Sequence, residues 1–161
     1  MRAYRVAYDG RPYAGFQRQP HAKTVEGTLL AALADHDVLD RGDGPTHATP
    51  PGYAAAGRTD AGVSAVAQTV AFDAPTWLSP RAFNATLPDA IRVWAAADVP
   101  ATFHATHDAT ARTYRYHLYA PVGGLPDDEP AIDEDLLVAA FDRLSGEHDF
   151  HNLTTDETGT V

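Results

Sequence analysis

An α+β fold is predicted by two features of the sequence. Short stretches alternate apolar and polar residues, as half-buried strands do, and between them lie stretches whose apolar residues recur at helical spacing. Clusters of Gly, Pro and Asp separate the two kinds, and no apolar run approaches the ~18 residues of a membrane span.

Taken in order, "RAYRVAYD" (2–9) alternates, with Tyr4, Val6 and Tyr8 on one face, and reads as a strand. Thr24 is placed to cap a helix with the apolar stripe Val25, Leu29, Leu33 and His36. "DRGDGPTHATPPG" (40–52) is a loop by composition. Two extended pieces follow, "GYAAA" (52–56) and "AVAQTVAFD" (65–73), the second with Val66, Val70 and Phe72 expected on one face. "LSPRAFNATLP" (78–88) is a short helix with Ser79 as N-cap and Pro80 at its first position, and "AIRVWAAADV" (90–99) is a further strand. This order, β-α-β-β-α-β, is the split βαβ or ferredoxin-like arrangement: an antiparallel sheet with its helices on one face.

A second, similar α/β unit is expected to begin at residue 100, giving domains over 1–99 and 100–161. Its strand is "TARTYRYHLYA" (110–120), with Arg112, Tyr114, Tyr116 and Leu118 on one face. The loop "PVGGLPDDEP" (121–130) leads to an amphipathic helix carrying Leu137, Phe141 and Leu144 and ended by Gly146. The strand and the helix find no partners in the rest of the chain, so this unit is expected to be unfinished.

Composition narrows the function. The 161 residues, 44% of them hydrophobic, suffice for one domain and part of another. There is no cysteine, which excludes disulfides, thiolate zinc sites and cysteine nucleophiles. "MRAYRVAYDG" lacks the apolar core of a signal peptide, and a cytoplasmic protein is the simplest reading. The formal net charge is −10; 17 of the 22 acidic residues are Asp, and Lys23 is the only lysine among 12 basic residues. Such a surface suits concentrated salt, where self-repulsion is screened over about 3 Å at 1 M. It also argues against a nucleic-acid partner unless the arginines are concentrated locally.

One stretch stands out. "AAGRTDAGVSA" (55–65) sets Arg58 and Asp60 two apart between Gly57 and Gly62. A hairpin turn would explain the glycines and aspartate equally well. In extended chain, however, positions i and i+2 point the same way, and a guanidinium close to a carboxylate keeps it ionised. Small neighbours leave room for a planar substrate, and a carboxylate so presented serves as nucleophile or as general acid or base. His104, His107, His148 and His151 have no spacing that resembles a metal site, so no metal is expected.

"GRTDAGVSA" resembles the G-R-T-D-x-G-V-H-A signature of the TruA family of tRNA pseudouridine synthases. Three more stretches are similar to motifs of that family, in the same order: "YDGRPYAGFQRQP" (8–20), "FHATHDATARTYRY" (103–116) and "LSGEHDF" (144–150). The resemblance implies a pseudouridine synthase fold and the isomerisation of uridine in the tRNA anticodon stem-loop, with no cofactor. Asp60 is then the nucleophile toward the flipped-out nucleotide. Arg58 would pair with Asp60 and hold the stem-loop open, and Tyr114 would stack on the target base and serve in its deprotonation. Arg112 would meet a phosphate or the Asp60 carboxylate. Gly57 and Thr59, with Gly15, Phe16 and Gln17 of the first motif, would line the RNA cleft. The full-length family form implies a homodimer.

This sequence departs from the family pattern at Ser64, where the family usually has His, and at Thr106, where it usually has Arg. Family members also continue well past "HDF". The alternative reading is therefore a catalytically incompetent fragment that is at most an RNA-binding module. On either reading the 161-residue chain alone is expected to be inactive, and to self-associate or stay mobile in its second half.

Overall fold

A computed structural model describes residues 1–39, 48–119 and 132–149. The chain divides into two compact units, Met1–Thr113 and Tyr114–Val161.

The first unit contains strand β1 (Arg2–Tyr8), helix α1 (Val25–Asp35), strands β2 (Ala54–Ala55) and β3 (Ala65–Phe72), helix α2 (Pro80–Phe83) and strand β4 (Ile91–Asp98). The strands form one sheet in the order β2-β3-β1-β4, every neighbouring pair antiparallel. An antiparallel β3 thus separates β1 from β2, the split βαβ topology that the element order predicts. The sequence boundary at 99 follows the last strand, but residues 100–113 pack with this unit: Ala105 is buried against Ala54 and Ala71.

Both helices start where expected. The Thr24 hydroxyl accepts the Gly27 N–H at 3.2 Å, and the Ser79 hydroxyl accepts the Ala82 N–H at 3.2 Å. Helix α1 buries Val25, Leu29, Leu30 and Leu33, whereas His36 caps its C-terminus instead of continuing the stripe. Helix α2 stops at Phe83, one turn in, where the Asn84 side chain turns aside to bond both polar groups of the Val93 backbone. The helices meet the sheet on Tyr4, Val6, Val70, Phe72, Ile91 and Val93. Tyr4 and Phe72 stack at 5.1 Å, and Phe83 meets Tyr4 edge-on at 5.6 Å, a geometry worth about 0.5–1.5 kcal/mol per pair beyond the area buried.

One strand face differs from expectation. Val66 is 85% exposed, and Gln68, not Val66, continues the buried row of Val70 and Phe72. The pairing of β1 with β3 slips between Val6 and Tyr8, which inserts an extra residue into β3 and reverses the alternation at that point. A second slip, between Arg5 and Val6 against β4, falls at Trp94. The Trp94 indole N–H donates to the Val66 carbonyl at 3.0 Å, so the two irregular stretches are tied across β1.

In the second unit the described element is helix α3 (Glu134–Leu144), with the Asp133 carboxylate accepting the Leu136 N–H at 2.9 Å and Glu134 and Asp135 in the first turn. Gly146 follows its end with φ +104, a conformation favourable for glycine. Leu136, Phe141 and Leu144 are exposed. The strand expected at 110–119 is not formed. Those residues have no regular secondary structure, and Tyr114, Tyr116, Leu118 and Tyr119 are exposed. Alternation satisfies a strand only when a neighbouring edge takes its backbone groups, and among the described residues no strand pairs with it. The loop at 121–130, most of the loop at 40–52 and the residues from 150 onward lie outside the described residues.

Candidate active site

The G-R-T-D stretch crosses the end of the sheet where β1 finishes at Tyr8 and β3 begins at Ala65. Two buried side chains hold it from the sheet. The hydroxyls of Tyr8 and Thr59 share a hydrogen bond of 2.7 Å. Burial pushes the Tyr8 hydroxyl above its usual range, against the opposing effect of its bonds to Thr59 and Gln68. The Gln68 side chain, 7% exposed, accepts the Gly57 N–H at 3.2 Å and donates to the Gly57 carbonyl. Its Oε1 also accepts the Thr69 N–H at 2.9 Å.

The loop after β1 holds the stretch from the other side. Phe16 donates its N–H to the Thr59 carbonyl at 2.8 Å and is itself completely buried. Gly15 sits at φ +98, and a Cβ there would lie 3.1 Å from the Thr59 carbonyl oxygen. Gly10 approaches still closer: an added Cβ would fall 2.0 Å from the Val63 carbonyl oxygen. Ser64 takes part in the same junction, its hydroxyl accepting the Gly10 N–H at 2.9 Å. Beside it, the hydrogen bonds and charge of Arg11 hold Asp9 down at about 2, with help from Ser64; the Arg11–Asp9 contact is 2.6 Å. Ser64 thus joins the two motifs through hydrogen bonds of its own.

Arg58 and Asp60 are both exposed. They are not paired, contrary to the i, i+2 argument: among the described residues no ion pair joins them, and the Arg58 guanidinium donates to Gln17 Oε1 at 3.2 Å. The Asp60 carbonyl accepts the Val63 N–H at 3.2 Å in a turn with Gly62 at φ +79.

Arg112 reaches the same loop by a different route. Residues 103–112 fold back over β2, where the Thr106 hydroxyl donates to the Ala55 carbonyl at 2.7 Å. Arg112 then forks, with Nε on the Ala56 carbonyl at 2.7 Å and a terminal nitrogen on the Thr106 carbonyl at 2.8 Å. Both acceptors are neutral, so the guanidinium keeps its charge and part of its donor set. Arg112 therefore reaches the motif through the backbone next to Gly57.

The structure brings together Gly57, Arg58, Thr59 and Asp60 with Gly15, Phe16, Gln17 and Arg112. Of these, Phe16 packs in the core beneath the loop, facing no open surface. Tyr114 belongs to the second unit and is exposed. Tyr8, Gln68, Ser64 and Thr106 support the site; Tyr8, Ser64 and Thr106 lie within the family-like stretches, but nothing in the sequence says what any of the four holds. Only the polar Gln68 in a buried strand row is a hint. Among the described residues no cluster of His, Asp and Glu is arranged to hold a metal ion.

No model of a protein family matches the chain. Individual proteins do. A tRNA pseudouridine synthase A from Haloarcula marismortui is 65% identical over 161 residues, covering 99% of this chain and 57% of the relative. Proteins of the same name from Methanosarcina barkeri and Burkholderia lata are 40% and 38% identical, over 99% and 94% of this chain and 55% and 57% of their own lengths. The chain belongs to the tRNA pseudouridine synthase A family. It spans a little more than half the length of the curated relatives it matches. Family membership fits the joining of the first two motifs, whose loops are held together by Ser64, Phe16 and Gly15.

Proposed function

We propose that the protein carrying this chain isomerises uridine to pseudouridine in the anticodon stem-loop of tRNA. It acts in the cytoplasm, as a homodimer, and needs no cofactor. The observation that carries this reading is the G-R-T-D loop: an exposed carboxylate, Asp60, on a backbone fixed from both sides, flanked by Arg58 and Arg112, whose hydrogen bonds go to neutral acceptors. Asp60 is the nucleophile toward the extruded nucleotide. The uracil ring leaves through nitrogen, turns, and rejoins the ribose through carbon, releasing the proton from that carbon. Arg58 assists the extrusion, which costs a few kcal/mol. Arg112 takes a phosphate, and Tyr114 stacks on the base and serves in its deprotonation. Gly57, Thr59, Gly15 and Gln17 line the approach, and Phe16 supports them from below.

The test is Asp60→Asn in the full chain. Tritium release from tRNA labelled at the uracil C5 position is expected to vanish, because an amide of nearly the same shape has no comparable nucleophilicity. The exposed side chain makes no structural bond among the described residues, so the unfolding midpoint should stay within about 0.5 kcal/mol of the parent. Release at the parental rate would show that Asp60 is not the nucleophile.

A further inference from the structure

The G-R-T-D loop has a dedicated mechanical support that the motif itself does not contain. Gln68 is buried in β3. Most of the residues that share the inward row with it are apolar, and a strand position there is ordinarily filled by a valine or an isoleucine. Its amide instead makes a reciprocal pair with the backbone of Gly57, taking the N–H and giving to the carbonyl, while the same oxygen holds Thr69. A side-chain amide in this position imitates a neighbouring strand. It does so where β2 has ended at Ala55 and the next backbone bond, from Ala56 to the Thr69 carbonyl at 2.9 Å, is the last link to the sheet. The residue so held immediately precedes Arg58. Two residues further on, the Thr59 and Tyr8 hydroxyls share a hydrogen bond, a second tie from the sheet to the loop.

We infer that Gln68 is a positioning residue: its amide fixes the two peptide units that meet at Gly57, and through them the directions in which Arg58 and Asp60 leave the loop. The inference rests on the reaction proposed above for its kinetic consequence, but not for its structural one. A catalytic carboxylate displaced by about 1 Å loses on the order of 100-fold in rate. Gln68→Met keeps the volume and removes both polar partners, leaving the Gly57 groups unsatisfied. Gln68→Glu keeps the shape. Only when protonated does the substituted carboxyl give a donor to the Gly57 carbonyl and an acceptor to its N–H; ionised, it repels that carbonyl.

Two measurements on the full chain decide the matter. In amide exchange, Gly57 in Gln68→Met should exchange at least about 10-fold faster relative to central amides of β1, which report global opening. In turnover at a temperature where both proteins are folded, kcat of Gln68→Met should fall by about 100-fold with KM within about threefold. Gln68→Glu should recover activity as pH is lowered through the titration of its new carboxyl, in a range where the parent is flat. A merely space-filling Gln68 would give a lower melting midpoint, unchanged kcat and no new pH dependence, and would overturn the inference. Unchanged Gly57 exchange would overturn it by itself, even if the parent chain showed no isomerase activity. Absence of isomerase activity from the unsubstituted protein that carries this chain, with Gly57 exchange accelerated in Gln68→Met, would instead count against the proposed reaction and leave the clamp in place.

Discussion

Replacing Gly10 by alanine should separate the two motif loops. The added Cβ would sit 2.0 Å from the Val63 carbonyl oxygen, 2.3 Å from its carbon and 2.9 Å from its nitrogen. All three are backbone atoms and cannot rotate away, so relieving the contact to 3.0 Å means moving one loop by about 1 Å. Overpacking of this kind costs about 1–3 kcal/mol. The shift also endangers two bonds worth about 1 kcal/mol each: Gly10 N–H to the Ser64 hydroxyl, and Tyr13 N–H to the Gly10 carbonyl, both 2.9 Å. A loss of about 2–4 kcal/mol follows. Trp77 and Trp94 both lie in the first unit, so tryptophan fluorescence in a urea titration reports that unit by itself. The midpoint should fall with the slope unchanged. Ser64→Ala should cost about 1 kcal/mol in the parent and little in the Gly10→Ala background, since the bond it removes is already lost there. A Gly10→Ala protein within about 0.5 kcal/mol of the parent, with Ser64→Ala fully additive, would refute the close approach.

Arg58→Ala should leave the unfolding midpoint within about 0.5 kcal/mol, because its described bond is an exposed one to Gln17, while turnover is lost and tRNA binding weakens; an unchanged single-turnover rate would deny Arg58 its part in the extrusion. Asp9 should titrate at about 2 by carboxyl NMR, and Arg11→Gln should move that midpoint up toward 3.8. Because the folded value is depressed, the stability linked to Asp9 is present above pH 3.8 and is lost as pH falls through about 2; a normal midpoint in the parent would show that the Arg11 contact is not formed in solution. With a net charge of −10, the thermal midpoint should rise between 0.1 M and about 2 M KCl, and a flat or falling midpoint would mean that self-repulsion is not what limits stability at low salt.

What could be read from the sequence was local chemistry. Thr24 and Ser79 cap helices because their hydroxyls are the right length for the free N–H groups of the first turn, wherever the helix later packs. The alternation in β1 needs only two faces, one of them buried. What failed depended on partners. Val66 faces outward because β1 and β3 slip against each other, and an insertion of one residue is invisible to a pattern of period two. The alternation from Arg112 to Leu118 looked like a strand because a pattern carries no information on whether an edge is present to receive it. Likewise, the spacing of Arg58 and Asp60 suggests an ion pair, but the guanidinium is bonded instead to Gln17, which is remote in sequence. The motif stretches, with Ser64 and Thr106 as their departures, could be named from the sequence; what Gln68, Ser64 and Thr106 hold could not, because each acts on backbone that is remote in sequence.

The acidic composition first argued against a nucleic-acid partner, and the placement of the arginines answers that objection. Arg2 and Arg11 are neutralised by Asp98 and Asp9 at 2.9 and 2.6 Å. Arg58 and Arg112 are held differently: side-chain and backbone carbonyls orient them, and among the described residues no carboxylate lies within ion-pair distance of either. A neutral acceptor fixes the guanidinium without cancelling its charge, so both arginines remain competent to take an anion. Net charge describes the field far from the protein, which salt screens within a few ångströms at molar concentration. Under such screening, recognition of a phosphate depends on where oriented guanidinium groups sit; Arg58 belongs to the loop that carries Asp60, and Arg112 is bonded to the Ala56 carbonyl at its start.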